Sequence, residues 1–316
     1  MVNRWERLAA SFAMIFAFCA LGGSSLLRAQ DNPSDLITGK IGWEISTGHI
    51  ESALADARRA VEEFPNSAVL MHLLAVAQSK NGLQDEARES FNKSIRLDPT
   101  IPQNYYDLAL LNMQADNYDE AVRMLQSFLN VSPRDAKAHL MLGIAYRERG
   151  DDALAIKQLK QALQISPGLP LVHYNLGKID ASQGDNKAAL SEYREELGVN
   201  PKFYDVYWSA GDAELAEKNL DSAEALYRRG TEIKPLAYQA FYGLARVFQA
   251  RKQWTKAEAE LKKVIAMAPD DVDAHAMLAD VYNQQGKTLE AKREELVVET
   301  LKSQANQPAE APAPSR

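Results

Sequence analysis

Residues 133–167 read PRDAKAHLMLGIAYRERGDDALAIKQLKQALQISP, and the fold is decided there. The stretch opens on Pro133, closes on Pro167, and carries apolar residues at spacings of three and four on either side of Gly150. Each side predicts an amphipathic helix, and the glycine predicts the reversal between them. Working outward, prolines recur at the same interval at 65, 99, 133, 167, 201, 235 and 269. A proline removes a backbone donor and does not continue a helix, so each marks a joint. A fixed 34-residue period is the signature of a stacked array, in which every repeat buries its apolar face on its neighbours.

Alignment on the prolines exposes the rest of the pattern. Twelve residues before each stands an alanine, Ala53, Ala87, Ala121, Ala155, Ala189, Ala223 and Ala257, with Ala291 continuing the series. A methyl group is what fits where two helices cross closely. Eight residues before the proline a bulky residue recurs as Phe91, Leu125, Leu159, Tyr193, Tyr227 and Leu261. Earlier come large–small pairs, among them Leu108-Ala109, Leu142-Gly143, Leu176-Gly177, Ala210-Gly211 and Leu244-Ala245. Gly48, Gly82, Gly150, Gly184 and Gly286 fall between the two helices of their repeats. No segment alternates like a strand, so the chain reads as all-α.

This pattern resembles the tetratricopeptide repeat family over residues 34 to 302. The resemblance implies a right-handed superhelical solenoid of antiparallel helix pairs, about eight repeats long. First helices would line a concave groove, and second helices would form a convex back. The terminal repeats depart from the pattern as end repeats do: Lys40 and Ile41 replace the large–small pair, and Glu295 and Ser303 replace the bulky residue and the proline.

In the family's register the fifth residue of each first helix points into the groove: His72, Tyr106, Leu140, Tyr174, Trp208, Tyr242 and Ala276. Four are Tyr or Trp, side chains that give large contact area for little entropy loss. The alternative is that they pack against neighbouring helices. The ninth residues, Val76, Leu110, Ile144, Lys178, Asp212, Arg246 and Asp280, run from apolar to charged with alternating sign. A ligand would meet an apolar stretch and then a charge-selective one; alternatively the four charges pair with one another. Two family specialisations are unsupported. No repeat joins Lys at the fifth to Asn at the ninth position, as carboxylate-clamping repeats do. The sixth positions, Leu73, Asp107, Met141, Asn175, Ser209, Gly243 and Met277, form no asparagine ladder.

The ends read differently. Arg4 and Arg7, the apolar stretch over residues 8 to 22 and Ala29 resemble an export signal spanning 1–29, with an uncleaved inner-membrane anchor as the alternative. Residues 30–33 are a short linker, and 303–316, with Pro308, Pro312 and Pro314, is a Pro/Ala tail with nothing to bury. Cleavage after Ala29 would remove Arg4, Arg7, Arg28 and Glu6 together with the single cysteine, Cys19, moving the net charge from −7 to −9. An exported, periplasmic location for a mature chain without cysteine follows as an expectation.

The 316-residue chain has 36 Lys+Arg against 43 Asp+Glu, which argues against a partner held by phosphate neutralisation. No glycine-rich phosphate loop, His-Glu-x-x-His or Gly-x-Ser-x-Gly is present. His139, His173 and His275 stand at the fourth position of their first helices, without a third ligand at helical spacing, and read as packing residues. The expectation is a non-enzymatic scaffold needing no cofactor or metal. Its partner would be a protein or peptide segment, not nucleic acid, with membrane contact only through an uncleaved leader. The rival reading is an envelope-complex assembly factor docking through its convex face or tail.

Overall fold

A computed structural model describes residues 33–305. The leader over 1–29, most of the linker and the tail from residue 306 lie outside the described residues. The described chain is sixteen α-helices: α1 Pro33–Ser46, α2 Ile50–Glu63, α3 Ala68–Lys80, α4 Gln84–Leu97, α5 Pro102–Gln114, α6 Tyr118–Val131, α7 Ala136–Arg149, α8 Asp152–Ile165, α9 Val172–Ser182, α10 Asn186–Val199, α11 Tyr204–Ala216, α12 Leu220–Ile233, α13 Tyr238–Ala250, α14 Trp254–Met267, α15 Val272–Gln284 and α16 Thr288–Ala305. The chain divides into two compact halves, Met1–Pro167 with α1 to α8 and Gly168–Arg316 with α9 to α16. The division falls at Pro167, one of the periodic prolines, and the 34-residue period continues unchanged across it.

In each half every helix packs chiefly on its chain neighbours, and first helices also touch one another: α1 on α3 and α3 on α5, α9 on α11 and α11 on α13. Reversals of three residues within each pair, two between α7 and α8, make the two helices antiparallel. Each such turn needs one left-handed residue. Gly48, Gly82, Gly150, Gly184 and Gly286 supply φ of +74° to +91°; where glycine is absent, Asp116, Lys218 and Lys252 take φ of 55°, 62° and 56° instead. The alanine series is buried throughout. The bulky series plugs the space beside the small residues: a Cβ on Gly143 would lie 2.8 Å from Leu159, and one on Gly177 or Gly211 would lie 2.6 Å from the ring of Tyr193 or Tyr227. Backbone therefore approaches side chain at a distance only glycine permits.

The joints carry a device that the alignment does not announce. The proline ends one repeat, and its carbonyl lies outside any helix. The Tyr105 hydroxyl donates to the Pro99 carbonyl at 3.1 Å and the Tyr207 hydroxyl to the Pro201 carbonyl at 2.8 Å. His139 Nε2 stands 3.2 Å from the Pro133 carbonyl and His275 Nε2 3.0 Å from that of Pro269. All four occupy the same position of a first helix. These histidines are thus joint residues: their Nδ1 atoms bond to Gln158 and Glu294 on the paired second helix at 2.8 and 2.6 Å. Side-chain caps from Ser67, Asp135, Asp185 and Asp271 satisfy first-turn donors of α3, α7, α10 and α15.

The entry to α9 is the exception. Pro167-Gly168-Leu169-Pro170 has the same spacing as Pro99-Thr100-Ile101-Pro102, yet α5 begins on its proline whereas α9 begins two residues later. Leu171 takes φ +75°, a costly conformation for a branched side chain. The buried carboxylate of Glu196, on α10, holds it there, accepting from the Leu171 N–H at 2.8 Å and the Tyr174 N–H at 3.3 Å. At its other end the helical chain reaches Ala305, three residues past the boundary expected at 302.

Candidate functional site

The fifth and ninth positions have different surroundings in the two halves. In the N-terminal half His72 Nδ1 lies 2.9 Å from the Asn104 amide oxygen, its Nε2 3.5 Å from Asp107, and its ring against Phe91. Gln103 donates to Asp107 at 2.9 Å, and burial, opposed by His72, pushes that carboxyl up. Tyr106 tilts onto Phe128 at 5.4 Å, and burial pushes its phenol up. Val76 and Leu110 are half-buried. Leu140 and Ile144 are 0% and 2% exposed and offer a ligand no surface, which corrects their assignment to the groove. The reason lies in α7, where Leu140 to Tyr146 are buried without a break; a helix apolar all round is covered all round.

In the C-terminal half the same positions converge. Tyr174 is the member that packs inward, edge-on to Phe203 at 5.0 Å and tilted on Tyr193 at 6.1 Å. Trp208 and Asp212 from α11, with Tyr242 and Arg246 from α13, line an open cleft of about 250 Å³. Its remaining walls are Tyr238, Gln239 and Gly243 of α13, Asp271 at the N-cap of α15, and Asp273 in its first turn. Ala276 and Asp280 are exposed further along α15. The predicted ladder of charges exists in part. Arg246 donates to Asp212, Lys178 sets its ammonium 5.5 Å from the Trp208 ring centroid, and Asp280 accepts from Gln249 at 2.7 Å.

Asp212 is held from behind the cleft by a residue that sequence reasoning assigned only to the core. Tyr227 rises from α12 between α11 and α13, and its hydroxyl donates to Asp212 at 2.7 Å. Cβ atoms on Gly211 and Gly243 would fall 2.6 and 2.2 Å from its ring, so both glycines are required for its passage. Gly243, the one glycine at a sixth position where other repeats carry Leu, Asp, Met, Asn or Ser, was the available sign. Burial pushes the Tyr227 phenol up, and the Asp212 charge adds to it. Burial pushes the Tyr242 phenol up, and the Asp273 charge adds to it, with Arg246 opposing. Asp271 spends one oxygen on the Ala274 N–H at 2.8 Å. Among the described residues no group of three metal-ligating side chains is assembled, and no helix is long and apolar enough to cross a membrane.

The repeat geometry can be set against known proteins. A tetratricopeptide repeat profile matches residues 44–102, 106–170 and 174–238, and a second profile of the same description matches 248–310. The chain belongs to the tetratricopeptide repeat family. Solved structures share the fold at low identity. The Cut9 and Hcn1 hetero-tetramer of the APC/C aligns with a TM-score of 0.64 and 19% identity over 78% of this chain and 49% of that one, so this repeat protein spans about half of that relative. PilW, described as a widely conserved type IV pilus biogenesis factor, aligns at 0.58 and 20% over 65% of this chain and 93% of PilW. The C-terminal part of a repeat-containing protein from Cytophaga hutchinsonii aligns at 0.58 and 17%, covering 76% and 99%. An all-α tetratricopeptide array is thereby shown for this chain, and with it a fold whose family serves protein interaction.

Proposed function

We propose that this repeat protein is a non-enzymatic scaffold that holds a peptide or protein segment in the cleft of its C-terminal half. The observation that carries the reading is the convergence of Trp208, Tyr242, Asp212 and Arg246 on one open cleft. Half-buried aromatics with polar handles, beside a fixed ion pair, suit recognition of an extended segment: the rings supply area and the charges set register. Tyr174 is engaged in packing and is left out of the test. Trp208→Leu with Tyr242→Leu keeps apolar volume and removes both ring faces; it should leave helicity intact and abolish partner capture from an envelope extract. Undiminished capture would sink the cleft as the binding site.

A second reading has its own support. A larger recess of about 450 Å³ lies against the second helices of the N-terminal half, lined by Val61, Glu89, Ser90, Asn92, Lys93 and Arg96 together with Met71 and Leu74. It fits the envelope-assembly reading, in which the back of the array docks; PilW, which shares the fold, is described as a type IV pilus biogenesis factor. Ser90→Arg with Lys93→Glu would block that recess and leave cleft binding untouched.

Action outside the cytoplasm rests on the leader-like residues 1–29. Fractionation of cells carrying the full chain tests it: recovery from the periplasm supports a cleaved signal, recovery only with inner membranes supports the anchor, and a cytoplasmic pool overturns both.

A further inference from the structure

The cleft also carries a preference in charge. Its lining holds three carboxylates, Asp212, Asp271 and Asp273, against the single guanidinium of Arg246. Asp212 is already balanced, accepting from both Arg246 and the Tyr227 hydroxyl. The excess negative charge is therefore on the α15 side, at Asp271 and Asp273, opposite the rings of Trp208, Tyr238 and Tyr242. Asp273 is exposed at the rim, where an arriving side chain would meet it first. The Trp208 ring already draws a cation within the molecule, the Lys178 ammonium. Aromatic faces attract cations through their quadrupole, and carboxylates at the edge hold the charge in place. An acidic side chain or a chain-terminal carboxylate would face Asp271 and Asp273 and would have to take Arg246 from Asp212. At about 250 Å³ the cleft is smaller than the roughly 300–1,000 Å³ of small-molecule sites, room for one long side chain with part of its neighbours.

We propose that the occupant is a peptide segment presenting a lysine or arginine, its stem along Trp208 and Tyr242 and its charged head against Asp271 and Asp273. This rests on the peptide-binding reading above and adds the chemistry of the partner to it. The Arg246–Asp212 pair then acts as a counterweight: it limits how negative the cleft becomes, and it resists anionic ligands less than the two rim carboxylates do.

The experiment uses the full chain and fluorescein-labelled, end-capped decapeptides of constant Ala/Leu background with Lys, Gln or Glu at the centre, followed by anisotropy. The Lys peptide should bind about tenfold more tightly than the Gln peptide, with the Glu peptide weakest, the scale expected for one partly desolvated cation contact. Asp271→Asn with Asp273→Asn, which keeps the α15 cap, should bring Lys and Gln peptides to within about twofold of each other. Arg246→Ala should strengthen the Lys peptide by roughly threefold, whereas a cleft built for anions would lose binding. Equal binding of all three peptides that is lost in Trp208→Leu with Tyr242→Leu would overturn the charge preference and leave the peptide-binding reading standing. A Glu preference would also overturn the proposal, and failure of every peptide to bind would overturn both.

Discussion

The two halves contain the same parts, four helix pairs each, and use their first helices in opposite ways. In the N-terminal half the fifth and ninth positions are taken up in part by packing: Leu140 and Ile144 are buried, His72 is tied to Asn104 and Asp107, and Tyr106 lies on Phe128, while Val76 and Leu110 stay half-buried. In the C-terminal half Trp208, Tyr242, Asp212 and Arg246 stay half-exposed around a cleft. One repeat register therefore yields either a covered face or an open cleft, depending on which residues stand at two positions per repeat. Stability and binding need not trade against each other when they are given to different segments of one array.

The largest test of the contrast is Gly243→Ala. A methyl group would lie 2.2 Å from the Tyr227 ring, which Gly211 confines from the other side, so we expect a loss of about 3 kcal/mol from the C-terminal half by overpacking. Gly143→Ala in the N-terminal half meets the flexible Leu159 instead and should cost about 1 kcal/mol. Comparable losses, measured by denaturant unfolding followed by circular dichroism, would erase the distinction between the two.

Next in size is Glu196→Ala, which strands the Leu171 and Tyr174 N–H groups and should cost about 2 kcal/mol, with amide exchange accelerating at the start of α9 before elsewhere. Tyr227→Phe removes one hydrogen bond to a carboxylate and keeps the ring; about 1.5 kcal/mol is expected. A smaller effect concerns pH. Burial holds the Glu196 carboxyl above its ordinary range despite its backbone donors. Between the unfolded and folded values the native state keeps the proton that the unfolded chain has lost, so this group's contribution falls as pH rises through that window. Glu196→Gln should flatten that decline and leave the rest of the pH profile in place; an unchanged slope would show that the carboxyl titrates normally.

Much of this was legible beforehand, for a physical reason. Positions that every repeat must fill identically, such as the alanines from Ala53 to Ala291 and the bulky residues from Phe91 to Leu261, leave a periodic trace that one sequence suffices to reveal. The turns were half legible. Glycine announced five of them, but Asp116, Lys218 and Lys252 adopt the same left-handed backbone without it. What remained hidden depends on contacts unique to one repeat. Asp271 and Asp273 join the cleft from the entry to the following repeat, and no periodic rule points to them. Glu196 occupies a position held by Ser94, Phe128, Ala162, Gly230 and Val264 elsewhere, so its capping of α9 belongs to a single place. Leu140 and Ile144 misled because the fifth and ninth positions indicate direction, while coverage depends on what lies opposite.

Tyr227 has a bearing on how the protein can be watched. Its ring is anchored between the first helices α11 and α13, against Gly211 and Gly243, and its hydroxyl ends on a carboxylate of the cleft. Anything that draws Asp212 toward an incoming segment alters the environment of a rigidly held, asymmetric chromophore. Near-ultraviolet dichroism of the unlabelled protein should therefore change when the proposed cleft is filled, and the part of the change lost in Tyr227→Phe belongs to this ring and not to Trp208, Tyr238 or Tyr242.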